Sequence, residues 1–323
     1  MKTFFIVNPQ SGNGRTGRRW FEASAQITRK FARPEHAFTR GPLDAAVLAA
    51  RALREGYDCI VAVGGDGTVN EVVNGFFDNG GPINPRASLA VMPQGTGGDF
   101  RKTFGWDLSL QSAIDRLAGN GLVPIDIGLV EYVSHAGRPG QRYFANVCSF
   151  GVSGVVDREV RASAKLLGGK IGFAWASIKA LAKYSDRTVR FSVDAQPAEQ
   201  ARVTAVSVAN GRYFGGGMCV APTAEPSDGW FDVTIWSGFG FLDFLLKSKA
   251  LYSGTHVRLS GTRCLRCRTL TAESDQEVLI DLDGESVGRL PCRMTLLPGA
   301  LQLKTNSSQS NPEVSGRDQA AGL

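Results

Sequence analysis

One segment constrains the fold of this chain more than any other: a glycine-rich turn that joins an apolar strand to an amphipathic helix. Residues 59–63 form an uninterrupted apolar run, which is typical of a buried strand. The turn Gly-Gly-Asp-Gly-Thr follows at residues 64–68. Apolar residues then recur at the spacing of one helical face, at Val69, Val72, Val73, Phe76 and Phe77. A strand, a tight turn and a helix in this order are typical of an α/β sheet.

The same turn has the features of a phosphate-binding loop. Its glycines let the backbone N–H groups approach a ligand, and the helix adds free N–H groups and the positive end of its dipole. Asp66 lies inside the turn, where its carboxylate repels phosphate unless a cation intervenes. The turn therefore predicts a site for a magnesium–nucleotide complex. It matches neither of the two common phosphate loops, and a plain glycine turn is the alternative.

The rest of the chain divides into two patterns. Strands (3–7, 59–63, 87–92) and helices (15–31, 43–55, 69–77, 108–118) alternate up to about residue 125, which predicts a doubly wound α/β domain. Leu43, Val47, Ala50 and Leu53 mark the predicted apolar face of the second helix. After that, strands dominate: 122–130, 142–148, 188–194, 202–209, 230–236, 256–260, 277–283 and 293–303. Their alternation predicts an all-β, sandwich-like domain. Residues 305–323 are polar and predict a disordered tail.

Composition and charge narrow the class of protein. No run of about 18 apolar residues is present to span a membrane, and the first strand is too short for a signal peptide, so we expect a cytoplasmic protein. The six cysteines are scattered, and Cys264 and Cys267 lack partners for a zinc site. The net charge of +6 favours an anionic membrane surface. Nucleic acid is not expected, because the arginines of the second half lack interleaved stacking aromatics.

Three further segments carry residue types suited to a nucleotide. Residues 8–12 (Asn-Pro-Gln-Ser-Gly) form a turn at the end of the first strand, where open α/β sheets place ligands. Thr39 precedes a predicted helix, and as a residue it fits a strand end or a helix cap as well as a cleft. Residues 93–100 (Pro-Gln-Gly-Thr-Gly-Gly-Asp-Phe) follow the strand 87–92.

In order and spacing, these motifs resemble the diacylglycerol kinase catalytic-domain family of lipid kinases, which includes bacterial lipid kinases and sphingosine kinases, with NAD kinases as distant relatives. The resemblance extends from residue 3 to about residue 304. It implies a nucleotide domain at 1–122, a β-sandwich domain at 123–292 and a return of 293–304 to the first domain. Gly98 departs from the family pattern G-T-x-N-D-F, which has asparagine there.

The resemblance also implies a set of nucleotide and metal contacts in the first half. It assigns Mg²⁺ to Asp66 and to Asp99, which joins the metal–water network. The ATP contacts that it implies are Asn8, Pro9, Ser11, Gly12, Thr39, Gly64, Gly65, Asp66, Gly67, Thr68, Asn70, Glu71, Gly95, Thr96 and Asp99.

In the second half, residues 277–285 resemble a family strand that ends in Asp-Gly-Glu. The family's aspartate is taken as the general base that deprotonates the acceptor hydroxyl, which implies this role for Asp283. We expect Glu285 to be a second catalytic carboxylate beside the metal network. Asp281 lies on the same strand face and competes with Asp283 for the role of base. An Asp-Gly hairpin with solvated carboxylates is the plain alternative.

Two other segments of the second half carry expectations. The family landmarks at 210–222 are followed by Asp228, which the resemblance assigns to a structural Mg²⁺ with the carbonyls of Glu225 and Trp230, although an Asp-Gly turn fits equally well. Residues 165–184 are apolar and small, with lysines and no acid. Such a helix suits a membrane interface or a lipid pocket, or else packs in the core.

The sequence is therefore identified as a member of a lipid kinase family. The resemblance implies a kinase that transfers the γ-phosphate of ATP, as its Mg²⁺ complex, to a lipid hydroxyl such as that of diacylglycerol. We expect it to lie peripherally at the membrane. Two alternatives stay open: an NAD kinase-like enzyme, and a nucleotide- or lipid-binding regulator without turnover. No heptad repeat or apolar edge patch in the sequence indicates an oligomer.

Overall fold

The structure, a computed structural model, describes residues 1–31, 34–78, 80–94, 98–155 and 184–306. The predicted segment 165–184, except Tyr184, and the predicted tail beyond residue 306 lie outside the described residues. None of the helices in the described part of the chain is long and apolar enough to cross a membrane.

The first half alternates strands and helices around a parallel sheet. Its elements are β1 (Thr3–Val7), α1 (Arg15–Thr28), β2 (Glu35–Phe38), α2 (Asp44–Arg54), β3 (Cys59–Gly64), α3 (Asp66–Asn74), β4 (Phe77–Asp78), β5 (Gly81–Pro82), β6 (Ser88–Pro93), α4 (Asp99–Thr103) and α5 (Leu110–Ala118). The strand order is β6-β3-β1-β2, and all three pairings are parallel.

Both faces of this sheet are covered. On β3, Ile60 and Ala62 pack into the core beneath α2 and α3, while Val61 and Val63 pack with Trp20 of α1 on the other face.

The second half consists mainly of antiparallel strands. Its elements are β7 (Leu122–Ser134), β8 (Pro139–Phe144), β9 (Val147–Gly151), β10 (Arg187–Val193), β11 (Glu199–Val203), β12 (Ala205–Ala209), β13 (Tyr213–Phe214), β14 (Met218–Cys219), β15 (Phe231–Trp236), α6 (Phe241–Ser253), a 3-10 helix (Thr255–Arg258), β16 (Thr262–Cys267), β17 (Thr269–Glu273), β18 (Leu279–Leu282) and β19 (Glu285–Lys304). Strands β9, β12, β15, β17 and β18 contribute side chains to one buried cluster. With the parallel sheet of the first half, this confirms the predicted fold class.

Strand β19 connects the two halves. Of its 20 residues, 285–289 pair with β18 and 292–295 with β17, and β7 pairs with it over most of its length. At the other end, Gln302 and Leu303 pair in parallel with Ser88 and Leu89 of β6. The strand therefore hydrogen-bonds to the parallel sheet while it also carries Glu285 of the second half.

Several sequence predictions about individual elements are wrong. Helix α3 begins at Asp66 and ends at Asn74, so Phe77 lies beyond it. On α2, Leu43 and Val47 are exposed, and the buried face consists of Ala45, Ala49, Ala52 and Leu53. The predicted strand 256–260 is largely a 3-10 helix. The elements that were not predicted are α4, α6, β2, β4, β5, β13, β14, β16 and β17.

Candidate active site

Three loops meet at the carboxyl ends of β1, β3 and β6. The Asn8 carboxamide donates to Thr68 Oγ1 over 3.0 Å, which joins the first loop to the glycine turn. The N–H of Gln94 donates to the Gly64 carbonyl over 2.8 Å. A Cβ at Gly12 would lie 2.7 Å from the Gln94 carbonyl oxygen, so the first and third loops are also in contact. The sequence motifs of the first half therefore lie together at one edge of the sheet.

The glycine turn leaves no room for a side chain at its start. A Cβ at Gly64 would lie 2.3 Å from Thr68 Oγ1, closer than any real contact. Because α3 begins at Asp66, the first N–H groups of this helix lie in the turn and have no carbonyl partner within the helix. This arrangement suits an anion.

Asp66 connects the glycine turn to the loop that precedes α4. Its carboxylate accepts the N–H of Asp99 at 3.0 Å and that of Phe100 at 3.1 Å, and the N–H of Gly98 also points to it. Asp66, the first residue of α3, thus caps the N-terminus of α4. Burial raises the pKa of Asp66, and the nearby charge of Asp99 raises it further.

Asp99 contacts the second half of the chain. One carboxylate oxygen is 2.7 Å from Lys102 Nζ, and the other accepts the N–H of Gly216 at 2.7 Å. Next to it, Thr103 Oγ1 accepts the N–H of Arg212 at 3.0 Å. Helix α4 therefore packs against the glycine-rich loop of residues 211–217. Sequence reasoning missed Lys102, although its spacing from Asp99 on a helix is a detectable signal.

The Asp-Gly-Glu turn lies opposite the glycine turn. Asp283 accepts the N–H of Val147 on Oδ1 and the carboxamide of Asn70 on Oδ2, both at 2.8 Å. A Cβ at Gly67 would lie 3.7 Å from Glu285 Oε1, so this side chain reaches the glycine turn. Burial raises the pKa of Asp283 to about 7, and the charges of Asp66 and Glu285 contribute to the increase.

The other acidic candidates have clear structural partners. Asp281 is fully buried and accepts the N–H of Gly284 at 3.1 Å, which stabilises the turn. The carboxylate of Glu71 accepts the N–H of Ala45 at 3.1 Å, in the first turn of α2. Burial raises the pKa of Glu71. Neither carboxylate depends on a ligand for a hydrogen bond.

The remaining predicted contacts of the first half lie around the same edge. Ser11 Oγ is 2.6 Å from Thr16 Oγ1, and Pro9 packs against Gly17 of α1. The N–H of Thr39 donates to the Val7 carbonyl at the end of β1. The predicted contacts at 95 and 96 lie outside the described residues.

The predicted second metal site contains an arginine. Asp228 Oδ2 is 2.5 Å from Arg266 Nη2, and Oδ1 accepts the N–H of Trp230 at 3.1 Å. Arg266 also pairs with Asp232 at 3.1 Å, and the Glu225 carbonyl accepts the N–H of Asp228. The guanidinium thus supplies the positive charge at this position, and the assignment of Mg²⁺ to Asp228 stays a prediction.

The glycine turn fits a magnesium ion that is shared with a nucleotide. Among the residues that the structure describes, no three His, Cys, Asp or Glu side chains are grouped to hold a metal by themselves. Mg²⁺, however, is usually held by one or two carboxylates, waters and substrate phosphates. Asp66 supplies a half-buried carboxylate whose neighbours Asp99, Asp283 and Glu285 are also acidic, and a divalent cation would offset their repulsion.

The chain is similar to known proteins over nearly its whole length. The family described as "Diacylglycerol kinase catalytic domain" matches residues 2–130, and the family described as "YegS C-terminal NAD kinase beta sandwich-like domain" matches residues 146–305. The chain is 28% identical to a diacylglycerol kinase of Bacillus subtilis (strain 168), with 88% of this chain and 90% of the relative covered. It is 25% identical to a diacylglycerol kinase of Staphylococcus saprophyticus, with 91% and 88% covered. The crystal structure of a diacylglycerol kinase from Bacillus anthracis str. Sterne shares the fold, with a TM-score of 0.68, 20% identity and 95% and 97% covered.

Proposed function

This chain belongs to the diacylglycerol kinase catalytic-domain family, and from that membership we propose that it is a lipid kinase. It transfers the γ-phosphate of ATP, as the Mg²⁺ complex, to a hydroxyl group of a diacylglycerol-like lipid. One observation carries the proposal: the Asp-Gly-Glu turn of the second half lies against the glycine turn of the first half, with Glu285 next to Gly67. A phosphate-binding turn and acidic groups from a second unit are what phosphoryl transfer to an alcohol requires.

In the proposed reaction, the N–H groups of the glycine turn and of the start of α3 bind phosphate oxygens. Asp66, together with Asp99, would hold the cation. When bound, Mg²⁺ neutralises charge on the transferring phosphoryl group. The carboxylate of Asp283 takes the proton of the lipid hydroxyl as that oxygen attacks the γ-phosphorus. The bond from the γ-phosphorus to the β,γ-bridging oxygen breaks in the same displacement, and ADP leaves.

Asp283 has suitable properties for a general base. Its pKa of about 7 is close to the pH at which a base must gain and lose a proton. Each of its oxygens accepts one hydrogen bond from the residues that the structure describes, and each therefore keeps a further acceptor position. Glu285 is the competing base, because its carboxylate lies nearer to Gly67.

A lipid acceptor requires that the protein reach a membrane surface, and we propose a peripheral association. The net charge of +6 favours an anionic surface. Helix α6 exposes Leu246 and Tyr252 on either side of the exposed Lys249. Sedimentation with phosphatidylglycerol vesicles should deplete the protein from solution, whereas neutral phosphatidylcholine vesicles should not.

A single assay tests the proposed activity. The purified protein is incubated with Mg²⁺ and γ-labelled ATP, in parallel with diacylglycerol in mixed micelles, a total lipid extract and NAD. We expect label in the diacylglycerol product, and no label when EDTA replaces Mg²⁺. Label in NAD alone would support the NAD kinase alternative, which is also suggested by the match of residues 146–305 to an NAD kinase-like sandwich. ATP binding without transfer to any acceptor would support a regulator.

A further inference from the structure

Two asparagines on α3 contact the same peptide of the second half. Asn74 Oδ1 accepts the N–H of Tyr143 at 2.9 Å, and Asn74 Nδ2 donates to the Tyr143 carbonyl at 2.8 Å. Asn70 Nδ2 donates to the same carbonyl at 3.2 Å and to Asp283 Oδ2 at 2.8 Å. The ring of Tyr143 stacks on Phe77 with 4.3 Å between centroids, which holds β8 against β4, the strand that follows α3. The side chains of Asn74 and Asn70 therefore lie between a backbone peptide and the proposed base.

The polarity of this network is determined by the backbone. The N–H of Tyr143 can only donate, so Asn74 must present its oxygen to it. The amide nitrogen of Asn74 then points to the carbonyl of Asn70 at 2.9 Å and to Asn70 Oδ1 at 3.3 Å. With its oxygen turned to Asn74, Asn70 presents its NH₂ group to Asp283. In the reverse orientation, Asn70 Oδ1 would face the carboxylate and the Tyr143 carbonyl, which are both acceptors.

We propose that Asn74 is a positioning residue for Asp283 and acts through Asn70. It holds the Asn70 carboxamide in the orientation that donates to Oδ2, while the Val147 N–H holds Oδ1. The carboxylate is thereby held by neutral donors on both oxygens and is prevented from rotating. The catalytic role of Asn74 rests on the proposed function of Asp283. The arrangement of hydrogen bonds that connects Asn74 to Asp283 does not depend on that function.

Asn74→Asp is the sharpest test, because it keeps the size and the oxygen that accepts the Tyr143 N–H and removes the donor. In mixed micelles of diacylglycerol, we expect kcat to fall by about 10²-fold, with the KM for ATP unchanged within about twofold, as for a misplaced catalytic group. In an Asp283→Asn background, the same change should lower kcat by less than about twofold, since the group that it positions is already lost.

Two controls separate positioning from general damage. Phe77→Leu weakens the neighbouring contact between β4 and β8 without altering either carboxamide, and we expect it to lower stability but to leave kcat within about threefold of the wild type. Asn74→Ala, which removes both polar atoms, should reproduce the kcat loss of Asn74→Asp if it folds. Equal losses in the wild-type and Asp283→Asn backgrounds, or a loss from Phe77→Leu as large as that from Asn74→Asp, would overturn the proposal.

A second measurement is independent of activity. Urea unfolding of the wild type, Asn74→Asp, Asp283→Asn and the double variant gives the coupling of the two residues in stability. We expect the double variant to be less destabilised than the sum of the single variants. If the wild type phosphorylates no lipid, the proposed function fails and this unfolding cycle alone decides the arrangement; strictly additive effects on stability would then refute it.

Discussion

Asp66 combines two tasks, since the carboxylate proposed to hold Mg²⁺ also caps α4. We expect Asp66→Ala to abolish Mg²⁺-dependent turnover and also to lower stability by about 1–2 kcal/mol, as for a lost helix cap. Activity is measured at saturating Mg²⁺, so that weak metal binding is not mistaken for lost chemistry. More than about a tenth of the wild-type activity would contradict the assignment to Asp66, given the size of charge effects at such sites.

Asp126 offers a matched control for Asp66. Like Asp66, its carboxylate accepts backbone N–H groups from other elements, here those of Gly229 and Gly299, both at 2.7 Å, and it is more deeply buried. Asp126→Ala should therefore lower stability by a comparable amount while kcat stays near the wild-type value at low temperature. If Asp126→Ala loses turnover to the same degree, the loss in Asp66→Ala reflects stability.

Three carboxylates at or next to the Asp-Gly-Glu turn can be tested side by side. We expect Asp283→Asn to lower kcat by about 10²- to 10⁴-fold, the usual effect of losing a general base, with ATP affinity by calorimetry retained. Asp281→Asn should remain active, because Asp281 serves the turn through Gly284. If Glu285→Gln is inactive and Asp283→Asn is active, Glu285 is the base. If all three variants are active, the acceptor half of the proposal fails.

The raised pKa of Asp283 has opposite effects on activity and on stability as the pH rises. The base must be ionised, so kcat/KM should rise with pH through about 7. The folded pKa lies above the ordinary value of 3.8, so the folded protein holds this proton more tightly than the unfolded chain does. The resulting stability is fully present below the unfolded pKa and is lost as pH rises through about 7.

Urea unfolding at pH 5 and pH 8 measures the effect on stability. The wild type should lose part of its unfolding free energy between these values, and Asp283→Asn should lose less. Equal losses in both proteins would contradict a raised pKa at Asp283.

At the scale of elements, the start of α4 determines whether the family's asparagine can be restored. Gly98 has φ +63°, a conformation that asparagine adopts more readily than most residues. A Cβ there would lie 2.7 Å from Arg101 Nε, so the Arg101 side chain must shift. We expect Gly98→Asn to fold and to change the KM for ATP or kcat, whereas Gly98→Val should be destabilised by strain at positive φ. An unfolded Gly98→Asn, or one with unchanged KM and kcat, would indicate that this loop differs from the family's.

The sequence predicted elements well where one buried pattern governs them. The apolar run of β3 and the glycine turn after it determined the strand and its loop. The start of α3 was placed three residues late, because periodicity reports only the buried face and the first turn at Asp66 is polar. The alternation after His256 favoured a strand, yet those residues form a 3-10 helix. Helix α6 is apolar on several sides and so lacks a clear period.

The candidate site was predictable only in part, because sequence patterns report local spacing and not contacts between distant residues. Turns with recognisable spacing, such as those at Gly64 and Gly284, were found. Asn74 carries no such signal, since its role depends on Tyr143, which lies 69 residues away in the chain. Contacts of this kind form only when the two halves meet, and a single sequence does not indicate which partners meet.

At the scale of the whole molecule, the site lies where α3, α4 and β19 connect the two halves. Asn70 and Asn74 hold β8 and Asp283, and Asp99 holds the loop at Gly216. Strand β19 adds backbone pairing between the sheets. The geometry between the phosphate-binding turn and the proposed base thus depends on these contacts, and we expect the two halves to unfold together.

Leu303 of β19 tests this cooperativity. It is fully buried in the core of the first half and pairs with Leu89 of β6, although the same strand begins at Glu285 in the second half. Leu303→Ala should lower the unfolding free energy by about 2–5 kcal/mol, as for other buried leucines. Hydrogen exchange at increasing denaturant measures the unfolding free energy separately for peptides of β3, in the first half, and of β12, in the second half.

If β19 couples the two halves, Leu303→Ala should lower the protection against hydrogen exchange by the same free energy in both peptides. Leu246→Ala is the control: this side chain is 80% exposed, and its removal should cost less than about 0.5 kcal/mol in either peptide. Loss of protection in β3 while β12 keeps the wild-type value would show that the halves unfold independently. The distance between Gly67 and Glu285 would then vary with the motion of two separate bodies, and the site could not be treated as preorganised.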